Sequence, residues 1–400
     1  MTGRSTPLTA LPMTRAEGRP FDPPPLLARL RDEAPLRRLT YADGHQGWLA
    51  TGHEEVRTLL GDNRISPRPD LIHLPFELEG ITTLPAPAPG AVNQLDGPDH
   101  ARLRQPLVGW FTVRRMRQLT HQVETLVADL LDDMADRGPD VDLVDEFAYP
   151  LPVTVVCDLL GVPESDRATF RDLVTTSGRS DLPIPDRLAA NEQLGGYVGE
   201  LVAAKRARPA DDIISALTET DLDDTDVVGL SAFLISAGFD TTANMLALGT
   251  MALLEHPSQL AAWRADPGIT NTAVEELMRY LSIVHTTVHS AVDDIEIAGQ
   301  TIKAGDSVTL SFMAANRDPR KFPDPDRLDL RRNATGHLGF THGAHACLGQ
   351  QLARVEMRAA FPALLRRFPN LRLNIAIEDV PLRDPLILVY GLDRLPVTLT

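Results

Sequence analysis

The chain has 400 residues, 43% hydrophobic and 24% charged, the balance of a folded globular protein rather than a disordered one. Its 39 basic and 55 acidic side chains leave a net charge of −16, which suits no general nucleic-acid binder. Two cysteines, Cys157 and Cys347, exclude a disulfide framework, a four-cysteine zinc site and a four-cysteine iron–sulfur cluster, and they suit a reducing cytoplasm.

The first 25 residues have no continuous apolar core, so they predict a flexible N-terminal arm and neither a signal peptide nor a membrane anchor. Residues 26–400 follow as a single domain. Apolar spacing predicts helices over 26–33, 53–60, 100–109, 114–136, 151–160, 164–177, 186–206, 223–255, 270–281 and 348–368. Strand patterns lie within 36–50, around an Asp43-Gly44 turn, within 292–312, and within the C-terminal 370–400. Residues 64–99 are proline-rich with little periodicity, a long excursion of the kind that forms lids. The stretch 227–254 is the most hydrophobic, but Asp240 and Asn244 within it favour a buried helix over a bilayer span. The fold class is mainly α with small β-sheets.

Three local features bear on chemistry. Cys347 closes the run Gly339 to Gly349 directly before a predicted helix, where free N–H groups and the dipole favour a thiolate able to act as nucleophile or metal ligand. The alternative is an inert buried thiol. Ala237, Gly238, Asp240 and Thr241 put an acid and an alcohol inside an apolar helix, which is costly unless they are paired or solvated. Gly238 and a back-bonding Thr241 predict a local opening that holds water and passes protons; a tolerated polar spot in a helix crossing is the alternative. Glu276 and Arg279 are spaced to pair on one helix face, as many surface residues are. Acidic strings at 132–136 and 211–219 formally match the two magnesium motifs of class I terpene synthases, although helix ends explain both. No phosphate-cradling or dinucleotide-binding glycine pattern is present.

In order and spacing these features resemble the cytochrome P450 family, specifically its soluble bacterial class of secondary metabolism, and the resemblance runs from residue 36 to the Gly391–Val397 segment. It implies the single-domain P450 fold and heme b with Cys347 as the axial thiolate on iron. Asp240 and Thr241 would relay protons, with Ala237 and Gly238 lying against the cofactor and Gly238 leaving room for oxygen. Phe340 would pack beside the sulfur, with Gly349 next to it. His100, Arg104, His289 and His345 would meet the heme propionates. Glu276, Arg279 and Arg327 would form a structural charge triad. Phe233, Ile283, Val284, Thr286, Leu386, Ile387 and Leu388 would line the substrate pocket. Three positions depart from the family's common pattern: Thr341 where glycine is usual, His289 where arginine commonly stands, and Leu328 in place of a usual phenylalanine, a packing change.

The function implied is that of a cytoplasmic, monomeric monooxygenase. It would insert one atom of O2 into a lipophilic small molecule, such as a macrolide or other polyketide, by hydroxylation or epoxidation. Electrons would come from a ferredoxin with a separate reductase, docked on arginines among Arg102, Arg114, Arg115, Arg117, Arg354 and Arg358, with no nucleic acid and no membrane involved. Two other readings are a non-catalytic heme-thiolate sensor or recruiter and, more remotely, a class I terpene synthase.

Overall fold

The computed structural model describes residues 8–77, 84–384 and 389–400, so Leu386, Ile387 and Leu388 lie outside the described residues. The helices in chain order are α1 (Pro25–Glu33), α2 (His53–Leu60), α3 (Gly97–Val108), α4 (Val113–Asp136), α5 (Pro150–Leu160), α6 (Arg167–Gly178), α7 (Ile184–Ala207), α8 (Ile213–Thr218), α9 (Asp224–Glu255), α10 (Pro257–Ala265), α11 (Thr270–Leu281), α12 (Phe312–Ala315) and α13 (Gln350–Arg367). The strands are β1 (Leu36–Thr40), β2 (Gln46–Ala50), β3 (Ile65–Ser66), β4 (Asp140–Asp142), β5 (Thr286–Ala291), β6 (Ile295–Ile297), β7 (Gln300–Ile302), β8 (Ser307–Ser311), β9 (Arg372–Leu373) and β10 (Pro396–Thr398). Every helix predicted from periodicity is present, its ends displaced by a turn or less. The short α8, α10 and α12 escaped prediction because too few apolar repeats fit within them.

Contacts divide the chain into two compact units that interleave in sequence. One comprises the chain up to Ala88, Asn93–Ala101 and Glu275–Cys347; the other comprises Pro89–Val92, Arg102–Val274 and Leu348–Thr400.

The first unit is built on a five-stranded sheet in the order β1-β2-β8-β5-β3. β2 and β8 run parallel, with Trp48 opposite Val308, whereas β5 and β8 are antiparallel, with His289 opposite Val308. One apolar cluster gathers Leu36, Trp48, Val56, Leu59, Val308 and Phe312; a second gathers Leu11, Leu27, Leu30, Leu39, Leu49 and Met313. The second cluster packs the described part of the N-terminal arm, from Leu8 onward, against this unit. Leu8 N–H donates to Arg38 C=O at 3.1 Å, Thr40 N–H returns a bond to Leu8 C=O at 2.8 Å, and Leu11 and Phe21 are buried. This part packs because Leu8, Leu11 and Met13 have apolar surface to remove from water.

In the second unit α9 is buried without a break from Thr242 to Leu253, burial on every side that marks a core helix. It starts at Asp223, whose side chain accepts from Asp226 N–H at 2.8 Å. The small sheet β4-β10-β9 completes this unit.

Helix α13 buries Glu356, whose Oε2 has no partner among the described residues, and burial pushes its carboxyl pKa up to about 8. The folded-state value lies above the unfolded one, so this group binds a proton more tightly when folded. It withdraws stability as pH rises from the ordinary carboxyl range through about 8. Glu356→Gln should therefore raise the melting temperature relative to the parent at pH 8–9 and bring little change near pH 5, as followed by thermal unfolding across that range.

Candidate functional site

The loop before α13 is braced from within the first unit. Cys347 N–H donates to Phe340 C=O at 2.9 Å, Thr341 N–H to Leu338 C=O at 3.0 Å, and Leu338 N–H to Asn316 Oδ1 at 2.7 Å. Gly343 has φ +76°, and a Cβ there would sit 2.1 Å from Leu60 O on α2, so this position admits only glycine. Thr341 occupies φ +58°, the left-handed region where a β-branched residue is strained by on the order of 1–3 kcal/mol. Its hydroxyl donates to His345 C=O at 2.9 Å, which helps hold the conformation. Cys347 is half-buried, whereas burial pushes the other thiol, Cys157, up to about 12 and leaves it inert.

Around this loop the first unit gathers three histidines and a carboxylate. His345 Nε2 lies 3.7 Å from Asp96 Oδ1, the Ser66 hydroxyl bonds Asp96 Oδ2, and the rings of His100 and His345 are 4.3 Å apart. Burial opposes the Asp96 charge, but the bonds from His345 and Ser66 win and its pKa is lowered. His289 lies on β5 with Val308 across from it. Strand alternation places Thr286 on the opposite face of β5 from His289, so the two predicted residues do not share a surface. Ile283 is buried and Val284 half-buried.

The charge triad forms, with one member exchanged. Arg279 donates to Glu276 Oε2 at 2.7 Å and Oε1 at 2.9 Å, and to the carbonyls of Asn316 and Pro325 at 2.8 and 2.9 Å, all fully buried. The third arginine is Arg332, whose Nε donates to Glu276 Oε1 at 3.1 Å. The predicted Arg327 instead pairs with Asp329 at 2.8 Å and its side chain stays 67% exposed. Arg332 sits five residues further along a tight turn, a reversal that linear spacing does not reveal.

In the second unit α9 runs unbroken through Ala237–Thr241, so the predicted opening is absent. Thr241 Oγ1 donates to Ala237 C=O at 3.0 Å, the back-bond expected of it. A Cβ on Gly238 would meet Val156 Cγ2 at 2.8 Å, so this glycine permits the α5–α9 approach. Phe233 is half-buried and Ala237 exposed.

Asp240 is held in a cage of donors. Arg383 Nη1 reaches both carboxylate oxygens at 2.9 and 3.1 Å, Tyr149 Oη donates at 3.1 Å, and Asn244 Nδ2 at 3.0 Å. Arg383 is buried; it also donates to Asp393 at 3.2 Å, to Gly178 C=O at 3.1 Å, and to the Tyr149 hydroxyl. Burial opposes its charge, but Asp240, Tyr149 and Asp393 overcome that and raise its pKa. Burial and the Asp240 charge raise the Tyr149 pKa too, so this phenol stays a donor. Sequence reasoning missed Arg383 and Tyr149. The available clue was an Arg383-Asp384 pair in the otherwise apolar 380–392 stretch, where a charge implies a partner.

The acidic strings have other roles. Asp212 caps α8 through Ser215 N–H at 2.7 Å and pairs with Lys205 at 2.5 Å; Asp132 is exposed and meets Arg367 at 3.2 Å. Three of the predicted docking arginines are also engaged: Arg102 with Asp226 at 2.6 Å, Arg115 with Asp211 at 2.9 Å and the Trp110 ring, and Arg354 with the Gln350 carbonyl at 3.2 Å and its Oε1 at 3.0 Å. Arg114 and Arg117 are exposed. Among the described residues no helix is long and apolar enough to cross a membrane.

Comparison with known proteins places this geometry. The profile of the family described as Cytochrome P450 matches residues 203–375. Cytochrome P450 105C1 of a Streptomyces species is 44% identical over 94% of this chain and 95% of its own length. Pentalenic acid synthase of Streptomyces avermitilis is 39% identical over 95% of each chain. The crystal structure of CYP105P1 in complex with filipin I superposes with a TM-score of 0.89 at 40% identity, covering 98% of this chain and 99% of that one. With such identity over almost its whole length, this chain belongs to the cytochrome P450 family, as a heme-binding monooxygenase of its bacterial, secondary-metabolism class.

Proposed function

We propose that Cys347 is the axial thiolate of heme b and that the enzyme oxygenates a lipophilic secondary metabolite, a macrolide or related polyketide, by hydroxylation or epoxidation with electrons from a ferredoxin. One observation carries the ligand assignment: Cys347 is half-buried in a loop braced by Phe340, Thr341 and Asn316, while Cys157 is buried and inert.

The residues fit the cofactor. Buried His289 Nδ1 has no partner among the described residues, which a carboxylate would supply. Gly349 has an ordinary φ, and a Cβ there would meet nothing within 4 Å, so the glycine suits a ligand approaching the backbone rather than packing. His100, Arg104, His289 and His345 would hold the propionates, and Cys347 the iron. When bound, heme activates O2, placing one atom in the substrate and the other in water.

This chain's residues supply the protons and the fit. Asp240 and Thr241 hold and pass protons at the carboxylate and hydroxyl, with Arg383, Tyr149 and Asn244 orienting the carboxylate. Phe233, Ile283 and Val284 favour a lipophilic substrate, and the filipin I complex of a 40%-identical structure supports a large one. Arg114 and Arg117 remain as docking cations for an acidic ferredoxin.

The test is the reduced, carbon-monoxide difference spectrum. The parent should show the far red-shifted Soret band of a thiolate-ligated heme, and Cys347→Ala should lose it. Survival of that band in the variant would transfer the ligand elsewhere. Spin shifts on titration with macrolides then test the substrate class.

A further inference from the structure

Position 289 is a histidine, whose positive charge, unlike that of an arginine, has to be acquired by taking up a proton. His289 is 6% exposed on β5 and its Nδ1 has no hydrogen-bond partner among the described residues. The charged or titratable groups acting on it are His345 and Asp96, and His345 in turn faces His100. Asp96 is already engaged by His345 and Ser66. The ring is therefore buried, with Nδ1 unpartnered among the described residues, and beside one carboxylate committed elsewhere. Burial first, then the His345 charge, pushes its pKa down to about 4, so the imidazole is neutral near pH 7.

We propose that heme uptake by this protein is proton-coupled: His289 takes one proton from solvent as the propionates arrive and returns it when they leave. The proposal rests on the reading that His289 faces those propionates. A desolvated carboxylate beside an unpartnered imidazole favours the imidazolium, which then supplies both charge and donor. No electrons move; the balance is one proton per heme bound.

The sign follows from linkage. Heme retention is greatest at low pH and weakens as pH rises through the window between the free and loaded values of His289, by up to about tenfold per pH unit. With arginine at this position the contribution is independent of pH.

The experiment follows transfer of heme from the holoprotein to excess apomyoglobin at pH 5.5–8.5, for the parent, His289→Arg and His289→Gln. The ratio of parent to His289→Arg rates cancels changes common to both, including those at the thiolate. It should climb with pH, by roughly tenfold in total or more. If His289→Arg does not fold, the Gln variant serves: the parent should hold heme far better than Gln at low pH and converge on it at high pH. Rate ratios constant to within about twofold at all pH values overturn the proton coupling. If Gln nonetheless loses heme faster than the parent throughout, His289 still faces the cofactor and only the coupling fails. If all the proteins that fold behave alike, the placement fails with it.

Discussion

Arg279→Ala loses about 3–5 kcal/mol of folding stability and accumulates little holoprotein, because removing one partner of a buried ion pair strands the other. Glu276 would keep Arg332 and the Asp329 N–H, at 3.1 and 3.0 Å, but lose the two-pronged bond from Arg279. The carbonyls of Asn316 and Pro325 would lose their shared donor. Asn316 is the residue whose side chain holds Leu338 at the start of the cysteine loop, so the damage reaches the heme pocket. Such a loss is a large part of a typical stability of about 5–15 kcal/mol. Thermal unfolding and heme content per chain measure it. The same measurements distinguish the two candidate third arginines. Arg332→Ala should cost about 1.5–3 kcal/mol, as loss of a hydrogen bond to a charged group does. Arg327→Ala should fall within about 1 kcal/mol of the parent, as exposed pairs do. Equal effects would contradict the exchanged triad.

Asp240→Asn slows product formation by roughly a hundredfold or more, the range that a positioned acid or base contributes. The amide is nearly isosteric, and its oxygen still accepts from Arg383, Tyr149 or Asn244, so fold and substrate-induced spin shift should persist. What disappears is the proton that the carboxylate exchanges. The solvent isotope effect on turnover should therefore rise, with electrons diverted from product to peroxide. Unchanged turnover with an unchanged isotope effect would place the proton route elsewhere. Parallel loss of fold and spin shift would show that the cage around Asp240 is structural.

The helical frame was legible because a 3.6-residue apolar period needs no distant partner. The cysteine loop was legible because its chemistry lies within eleven consecutive residues, Gly339 to Gly349. Less visible was anything decided by chain reversal or long-range pairing. Arg327 and Arg332 are equally plausible in linear order, and only the turn aims the second at Glu276. Arg383 reaches Asp240 across 143 positions. Period-two alternation in β5 separates Thr286 from His289, although both lay in a segment read as site-lining. Whether Thr341 needs a positive φ depends on the loop's closure, which places it at +58°.

The sheet of the first unit also bears on how the chain is made. β2 sits between β1 and β8, and Trp48 meets Val308, whose strand is synthesised 260 residues later. At roughly 5–20 residues per second, the β1–β2 hairpin waits roughly 13–52 s on the ribosome with one edge unpaired. That edge is apolar, with Trp48, Leu49 and Ala50 all buried in the finished sheet, and it is the kind of surface that recruits neighbouring nascent chains. Whatever shields this hairpin until β8 emerges, such as a bound chaperone, or shortens the wait should therefore raise the yield of soluble protein.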